Sequence, residues 1–273
     1  MKRTVAAHGL LAEGDRVLVA ISGGKDSYCM LHLLDRLVPR LPFRVELVAV
    51  HLDQGQPGYD GAPLRGWLEA RGGAWEILSE DTYAVVVDKL APGATPCSLC
   101  SRLRRGVLYT AAARLGCNKL ALGHHRDDAL ETFLMNLFFS GRLQAMPARY
   151  TTDDGRFEVI RPLIECAEER LARLAEERAF PILPCTLCGS QEGLERERMA
   201  ALLAELEARR PDVRSVMARA LANVRPTHLL DPDVLEAWRR RPAEVRPEPP
   251  AARRPEHAAA EPVARGGRLP VVR

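Results

Sequence analysis

Apolar and polar blocks alternate along the first 140 residues of the chain. Residues 16–21 are a short apolar run after Glu13-Gly14-Asp15, and its length predicts a buried strand. The polar stretch Ser22-Gly23-Gly24-Lys25-Asp26-Ser27 reads as a loop, and residues 28–37 as a helix closed by Pro39. Residues 45–52 form a second strand ending at His51-Leu52-Asp53. A helix near 63–70 and a third short strand at 75–78 follow. Residues 80–96 are mixed, with Val85-Val86-Val87 apolar and a Pro/Gly loop at 92–96. The pattern is helical over 101–115 and strand-like over 119–123. After His124-His125-Arg126-Asp127-Asp128 it is strongly helical to about Phe139.

This repetition of strand, loop and helix predicts an α/β fold: a mainly parallel sheet with helices on both faces. The polar loops follow the C-terminal ends of strands, where open sheets place their ligands. Residues 140–160 look irregular or hairpin-like, with Asp153-Asp154-Gly155 as a turn. Helices are expected over 167–177, over 192–209 with Pro211 ending it, and over 213–223. Between the first two of these lies a cysteine-containing loop at 181–189. No internal repeat is evident. The organisation expected is a catalytic domain over 1–235 and a disordered tail over 239–273.

The length of 273 residues allows one large domain or two small ones. The hydrophobic share of 47% and charged share of 27% are ordinary for a globular protein. The basic start Met1-Lys2-Arg3 is not followed by the long apolar run of an export signal, and no apolar run is long enough to span a membrane. A cytoplasmic protein is expected. The net charge of +3 is unevenly distributed: residues 239–273 hold nine Arg and four Glu, a net of +5, which leaves about −2 for residues 1–238. Any nucleic-acid contact therefore needs a local patch rather than bulk attraction. The tail also carries seven Pro, so it could add electrostatic affinity for RNA or be dispensable. Only four Lys occur (Lys2, Lys25, Lys89 and Lys119), which makes Lys25 in the glycine loop more notable.

Seven cysteines with no export signal argue against a disulfide framework. Cys97-Ser98-Leu99-Cys100 and Cys185-Thr186-Leu187-Cys188 are two Cys-x-x-Cys pairs, each following a proline and each read as a loop feeding a helix. Together they could hold zinc through four thiolates or an iron–sulfur cluster, and their spacing does not choose between the two. Cys29, Cys117 and Cys166 sit in apolar or helical contexts and read as small core residues. Arg102, Arg104 and Arg105 follow the first pair on one helix, where they could meet an RNA backbone or form a solvated face.

The loop Ser22–Ser27 has two glycines for close backbone approach, a helix start that offers unpaired N–H groups, and the point charge of Lys25. Its spacing is neither the GxxxxGK[ST] loop nor the dinucleotide GxGxxG. A tight turn with a helix cap would use the same residues. Asp53, at the end of the second strand, could bind magnesium or a ribose, or cap a turn. Asp127 and Asp128 could face a ligand, or serve as a cap and a first-turn acid.

The hexapeptide resembles the pyrophosphate-binding (PP) loop of N-type ATP hydrolases, which split ATP between its α and β phosphates. With it run Leu52-Asp53-Gln54-x-Gln56-Pro57-Gly58, Cys97 to Gly106, Leu122-Gly123-His124-His125-Arg126-Asp127-Asp128, Ile160-Arg161-Pro162-Leu163, and Phe180 to Gln191. In this order, over roughly residues 10–200, they resemble the tRNA 2-thiocytidine synthetases, the TtcA-type PP-loop tRNA thiolases. The resemblance implies an adenine nucleotide alpha hydrolase-like fold and ATP-dependent thiolation of tRNA cytidine 32. ATP would adenylate the C2 oxygen, and sulfur would then replace it at a 4Fe-4S cluster. It further implies ATP binding by Ser22, Gly23, Gly24, Lys25, Asp26, Ser27, Asp53, Gly123, His124, Asp127 and Asp128, with magnesium. Catalytic roles fall to Lys25, Asp53, Arg104 and Asp127, with Arg104 on the activated intermediate. Cys97, Cys100 and one of Cys185 and Cys188, Cys185 being favoured, would ligate the cluster. The partners implied are tRNA and a cysteine desulfurase or other persulfide donor, without a membrane; a homodimer is compatible. The alternatives are a thiolase for a tRNA uridine and a non-enzymatic, zinc-stabilised RNA-binding module.

Overall fold

Strand β1 (Asp15–Ile21) occupies the middle of a six-stranded sheet in this computed structural model, which describes residues 1–89, 97–183 and 195–240. A short helix α1 (Lys2–Ala7) precedes it. After β1 come α2 (Lys25–Leu37), β2 (Val45–Asp53), α3 (Ala62–Arg71), β3 (Ala74–Ser79) and α4 (Thr82–Lys89). Then follow α5 (Cys97–Arg114), β4 (Lys119–Ala121), α6 (Arg126–Phe139), β5 (Arg149–Thr151), β6 (Glu158–Ile160) and α7 (Glu168–Glu177). Helices α8 (Glu195–Arg209) and α9 (Val213–Leu221) complete a compact unit that spans Met1–Leu221. A second unit begins at Ala222; its described part holds a 3-10 turn at Pro226–His228 and helix α10 (Pro232–Arg240). The tail expected from residue 239 lies, past Arg240, outside the described residues.

The strand order is β3-β2-β1-β4-β6-β5. All neighbours are parallel except β5 and β6, which form the antiparallel edge hairpin. The chain winds outward from β1 to β3 on one side, then returns to place β4 on the other. The switch point of the sheet therefore falls between β1 and β4, where open α/β sheets bind their ligands. Val19 at the middle of β1 pairs with Ala49 of β2 and with Ala121 of β4.

Alternating residues of β1 fill two cores. Val17, Val19 and Ile21 join Met30, Leu31 and Leu34 of α2, Leu64 and Leu68 of α3, and Leu171 of α7 on one face. Leu18 joins Leu108, Ala111 and Ala112 of α5 on the other. Helices thus cover both faces, as the sequence pattern predicts. A third cluster packs α6 against α8 and α9 through Leu130, Leu134, Met199 and Leu203.

Several boundaries differ from the sequence reading. Helix α2 begins at Lys25, so half of the hexapeptide is helix rather than loop. Helix α5 begins at Cys97, so the first cysteine pair lies in a helical first turn rather than in a loop. Helices α1, α4 and α10 have no counterpart in that reading. The Val85-Val86-Val87 run lies in a helix that buries only Val86 of the three, while Val87 is 56% exposed.

Lys119 fixes β4 electrostatically. Its buried Nζ lies 3.0 Å from Asp15, 2.8 Å from Glu158 and 3.0 Å from the Leu10 carbonyl. Removing the amine would leave the buried Asp15 carboxylate without its counter-charge. Lys119→Ala is expected to lower the unfolding free energy by about 3–5 kcal/mol in urea titrations of the full chain. Arg16→Ala, which breaks the exposed pair with Glu46, is expected to cost about 0–1 kcal/mol.

Candidate active site at the ends of the central strands

The end of β1 turns sharply into α2. Gly23 holds φ at +85°, and Gly24 is the N-cap of α2 without a side chain to cap it. The Ser27 hydroxyl donates to the Gly24 carbonyl at 2.8 Å and accepts from the Ser22 amide at 3.2 Å, which closes the turn on itself. The first amides of α2, at Lys25 and Asp26, have no intrahelical acceptor because they lie in the first turn. Such amides, with the helix dipole behind them, favour an anion.

Two neighbouring segments close over this turn. The Leu183 amide donates to the Gly23 carbonyl at 2.9 Å, and a Cβ on Gly23 would sit 2.9 Å from Leu183 Cδ1. From the other side, a Cβ on Gly123 would lie 3.3 Å from the Asp26 carbonyl carbon and the Ser27 nitrogen. Gly23 is favoured by its positive φ and by the Leu183 side chain packed over it, and Gly123 by the close approach of the α2 backbone. Leu183 stands two residues before Cys185 in the sequence; Cys185 and Cys188 lie outside the described residues.

Lys25 Nζ contacts Glu168 at 2.7 Å and Asp26 at 3.2 Å. Burial works against its charge, but the two carboxylates prevail and raise its pKa. Burial raises the pKa of Asp26, against the pull of Lys25 and His125. One Asp26 oxygen, Oδ1, is buried without a hydrogen-bond partner among the described residues. That unpaired acceptor is a hard oxygen of the kind a divalent cation or a ligand hydroxyl would engage.

The Gly123–Asp128 turn is built by helix capping. His125 caps α6: its Nδ1 accepts the Asp128 amide at 3.4 Å, and its own amide donates to the Asp128 carboxylate at 2.9 Å. Asp128 also pairs with Arg196 of α8 at 3.2 Å. Asp127 is buried and accepts the Glu168 amide at 2.9 Å, with Arg214 at 2.9 Å and Arg126 at 3.1 Å on its other oxygen. Burial alone would raise its pKa, but the Glu168 amide and the arginines lower it. Both oxygens of Asp127 are thus engaged in holding α7 and α9 to α6. The structure gives Asp127 a scaffolding position where the sequence reading placed a nucleotide or magnesium ligand.

At the end of β2, the buried His51 donates from Nδ1 to the Ile21 carbonyl at 2.7 Å and accepts the Tyr59 hydroxyl at Nε2 at 2.5 Å. Burial lowers its pKa, and Arg104 of α5 adds to that shift. Its charge places Arg104 in the neighbourhood of the same strand ends. Asp53 spends one carboxylate oxygen on the Gly55 amide at 2.9 Å. The Cys100 thiol, one turn before Arg104 on α5, donates to the Gln54 side-chain oxygen at 3.3 Å. Cys100, Arg104 and Leu108 lie along one helical face. Arg102 and Arg105 are exposed, away from that face.

The sequence reading missed Glu168, Tyr59 and the arginines of α8 and α9. Only the docking of distant helices brings them here. Arg161 and Gln54 were inside the quoted motifs, but nothing in the sequence separated their roles from their neighbours'. Arg161 leaves β6 and points its Nε at His124 Nδ1, 3.3 Å away. His124 has its pKa pushed down to about 4, by burial first and by Arg161 second.

A family model described as a PP-loop domain matches residues 2–181. A tRNA-cytidine(32) 2-sulfurtransferase of Sorangium cellulosum (strain So ce56) is 52% identical over 253 residues, which covers 93% of this chain and 88% of that protein. One of Tolumonas auensis (strain DSM 9187 / NBRC 110442 / TA 4) is 49% identical over 229 residues, 84% of this chain and 76% of that protein. Among solved structures, the U34-tRNA thiolase NcsA from Methanococcus maripaludis, with its 4Fe-4S cluster, has a TM-score of 0.64 at 24% identity. The match covers 82% of this chain and 78% of that one, and it shows a shared fold.

Glu131 of α6 gives the site region a pH dependence. Burial and the nearby Asp128 raise its pKa from 4.5 to about 7, although Arg196 lies 3.9 Å away. An acid whose folded pKa exceeds its unfolded value destabilises the fold once it ionises. Stability from this group is full below pH 4.5 and falls as pH rises to about 7. Glu131→Gln is expected to match wild type near pH 4.5 and to exceed it above pH 7, by up to ~3 kcal/mol, in urea titrations across pH.

Proposed function

This chain belongs to the PP-loop tRNA-cytidine(32) 2-sulfurtransferases, and we propose that it converts cytidine 32 of tRNA to 2-thiocytidine by ATP-dependent adenylation and sulfur transfer. The observation that carries this reading is the Leu183–Gly23 hydrogen bond. It ties the segment leading to the second cysteine pair directly to the nucleotide loop, while Gln54 ties the first pair to the neighbouring strand end. Anion-binding and soft-ligand chemistry meet at one edge of the sheet.

The pyrimidine C2 oxygen attacks the α-phosphorus of ATP, and the bond to pyrophosphate breaks. The open first turn of α2 receives the phosphates through its amides. Lys25, kept charged by Glu168 and Asp26, neutralises the charge that develops on them. Sulfur at the sulfide level, released from the persulfide donor by two electrons from an added thiol reductant, displaces the activated oxygen, and AMP leaves. Arg104 contacts the activated base from the cysteine-bearing face of α5. Asp26 Oδ1 and the second oxygen of Asp53 are the hard donors suited to magnesium. Asp127 and Asp128 serve by position, the first capping α7 and the second capping α6.

Cys97, Cys100 and Cys185 would hold the 4Fe-4S cluster, with Cys188 as the fallback third ligand. Two cysteines three residues apart in the first turn of a helix, with Cys100 half-buried, suit an iron–sulfur cluster. When bound, the cluster supplies a soft iron site that can carry sulfur. The tRNA base reaches this edge by leaving its anticodon-loop stack, which is cheaper there than in a duplex. A persulfide donor such as a cysteine desulfurase and a cytoplasmic location fit the same reading.

The test is nucleoside analysis of tRNA after anaerobic incubation of cluster-loaded protein with ATP, a persulfide donor and a thiol reductant. We expect 2-thiocytidine at position 32; 2-thiouridine or no thiolated nucleoside would overturn the reading. Lys25→Ala is expected to slow AMP formation by about 10²–10³-fold. Cys100→Ala is expected to lower iron per chain and abolish thiolation.

A further inference from the structure

We infer that Arg161 is a positioning residue. It fixes His124 as a neutral imidazole with its proton on Nε2, and presents that N–H to a phosphate oxygen of the nucleotide during adenylation. The inference rests on the adenylation reading above and names a group that acts within it.

A guanidinium has donors and no acceptor. With Arg161 Nε 3.3 Å from His124 Nδ1, that ring nitrogen must hold its lone pair, and the proton of the neutral ring must lie on Nε2. Arg161 cannot easily turn away. It is 8% exposed, donates from Nη1 to the Pro147 carbonyl at 2.8 Å, and stacks 5.3 Å from the Tyr150 ring centre. Its backbone amide is tied to the Ala148 carbonyl at 2.8 Å. Protonating His124 would aim an N–H at this immobile cation, and burial and Arg161 together hold the ring's pKa near 4.

The Nε2–H of His124 has no protein acceptor among the described residues, and the side chain is only partly buried. The adjacent His125 differs. Its Nδ1 takes the Asp128 amide, and its Nε2 faces the carboxylates of Asp26 at 3.8 Å and Glu168 at 4.0 Å. His51 is the opposite tautomer, with both nitrogens satisfied within the protein. His125 turns its Nε2 toward two carboxylates that stand beyond hydrogen-bond distance, whereas the Nε2–H of His124 has no carboxylate within 4.0 Å among the described residues and is left for a ligand. Gly123 packs on the first turn of α2, which sets the backbone of His124 one residue from the phosphate-binding turn. When the C2 oxygen bonds to the α-phosphorus and pyrophosphate departs, negative charge concentrates on phosphate oxygens. A neutral imidazole can donate to such oxygens without first losing a proton.

The test is ¹⁵N NMR of histidine-labelled full-length protein, with His124→Gln to assign the ring. It is joined to steady-state measurement of AMP formation on tRNA. In wild type we expect His124 to remain the neutral Nε2–H tautomer from about pH 5 to about pH 8. In Arg161→Met the ring should titrate nearer the ordinary histidine range, and kcat should fall about 10- to 100-fold with KM for ATP little changed. Arg161→Lys, which keeps a cationic donor, should restore the tautomer and part of the rate. A wild-type His124 protonated on Nδ1, or titrating near pH 6.5, overturns the inference. So does an Arg161→Met protein that folds and turns over at the wild-type rate. Wild type that forms no AMP from ATP and tRNA, with the Nε2–H tautomer intact, overturns the functional reading and the donor role while the Arg161–His124 pairing stands.

Discussion

The arrangement depends on one helix start that is deliberately bare. Three helices begin close together at the C-terminal edge of the sheet. Helix α6 is capped by His125 and Asp128, and the first amide of α7 is satisfied by Asp127. Helix α2 begins at Gly24, which has no side chain to offer. Two of the three positive helix ends are thus quenched by the protein, and the third is left to attract an anion. The glycines serve the same constraint. Gly23 lets Leu183 close over the loop, and Gly123 lets the next strand end approach α2, without a Cβ intervening in either case.

Leaving one helix end open crowds carboxylates around it, and the fold compensates from a distance. Asp127, Asp128 and Glu131 lie within two turns of α6. Arg196 of α8 pairs with Asp128, and Arg214 of α9 and the local Arg126 pair with Asp127. The C-terminal helices are therefore not an appendage to the nucleotide-binding sheet. Their apolar contact with Leu130 and Leu134 positions the arginines that let the acidic turn exist. Asp26 has Lys25 and, at 3.8 Å, His125 on one oxygen and no hydrogen-bond partner among the described residues on the other. The unsatisfied acceptor and the unsatisfied amides sit on the same helical turn, which is what a site for a cation-bound polyphosphate requires.

The mainly parallel sheet, its helices on both faces and the glycine loop were legible in the sequence because they rest on local pattern. A short apolar run ending in a glycine-rich polar loop has few other solutions. What the sequence did not show depends on contacts between distant segments. Asp127 and Asp128 are adjacent, and no local rule says which one will meet the amide of Glu168, some forty residues later. The cysteine helix was misplaced by one turn because Pro96 and the cysteines themselves resemble loop residues, whereas the stripe through Arg104 and Leu108 already had helical spacing. Helix α4 was hidden by three consecutive valines, whose β-branching normally favours a strand.

The two chemistries of the site reach it from opposite faces of the sheet. The phosphate-binding turn belongs to α2, which packs with α7 on one face, and the first cysteine pair belongs to α5 on the other. They can cooperate only if the strand ends between them are rigid. His51 supplies that rigidity by bonding the end of β2 to the Ile21 carbonyl, the last residue of β1 before the loop. Gln54, just past the end of β2, then reaches Cys100. The path from thiol to phosphate loop is thus Cys100, Gln54, the end of β2, His51 and Ile21. Such a bridge preserves the spacing between a soft sulfur-handling group and an adenylated base, a distance that neither helix could set alone.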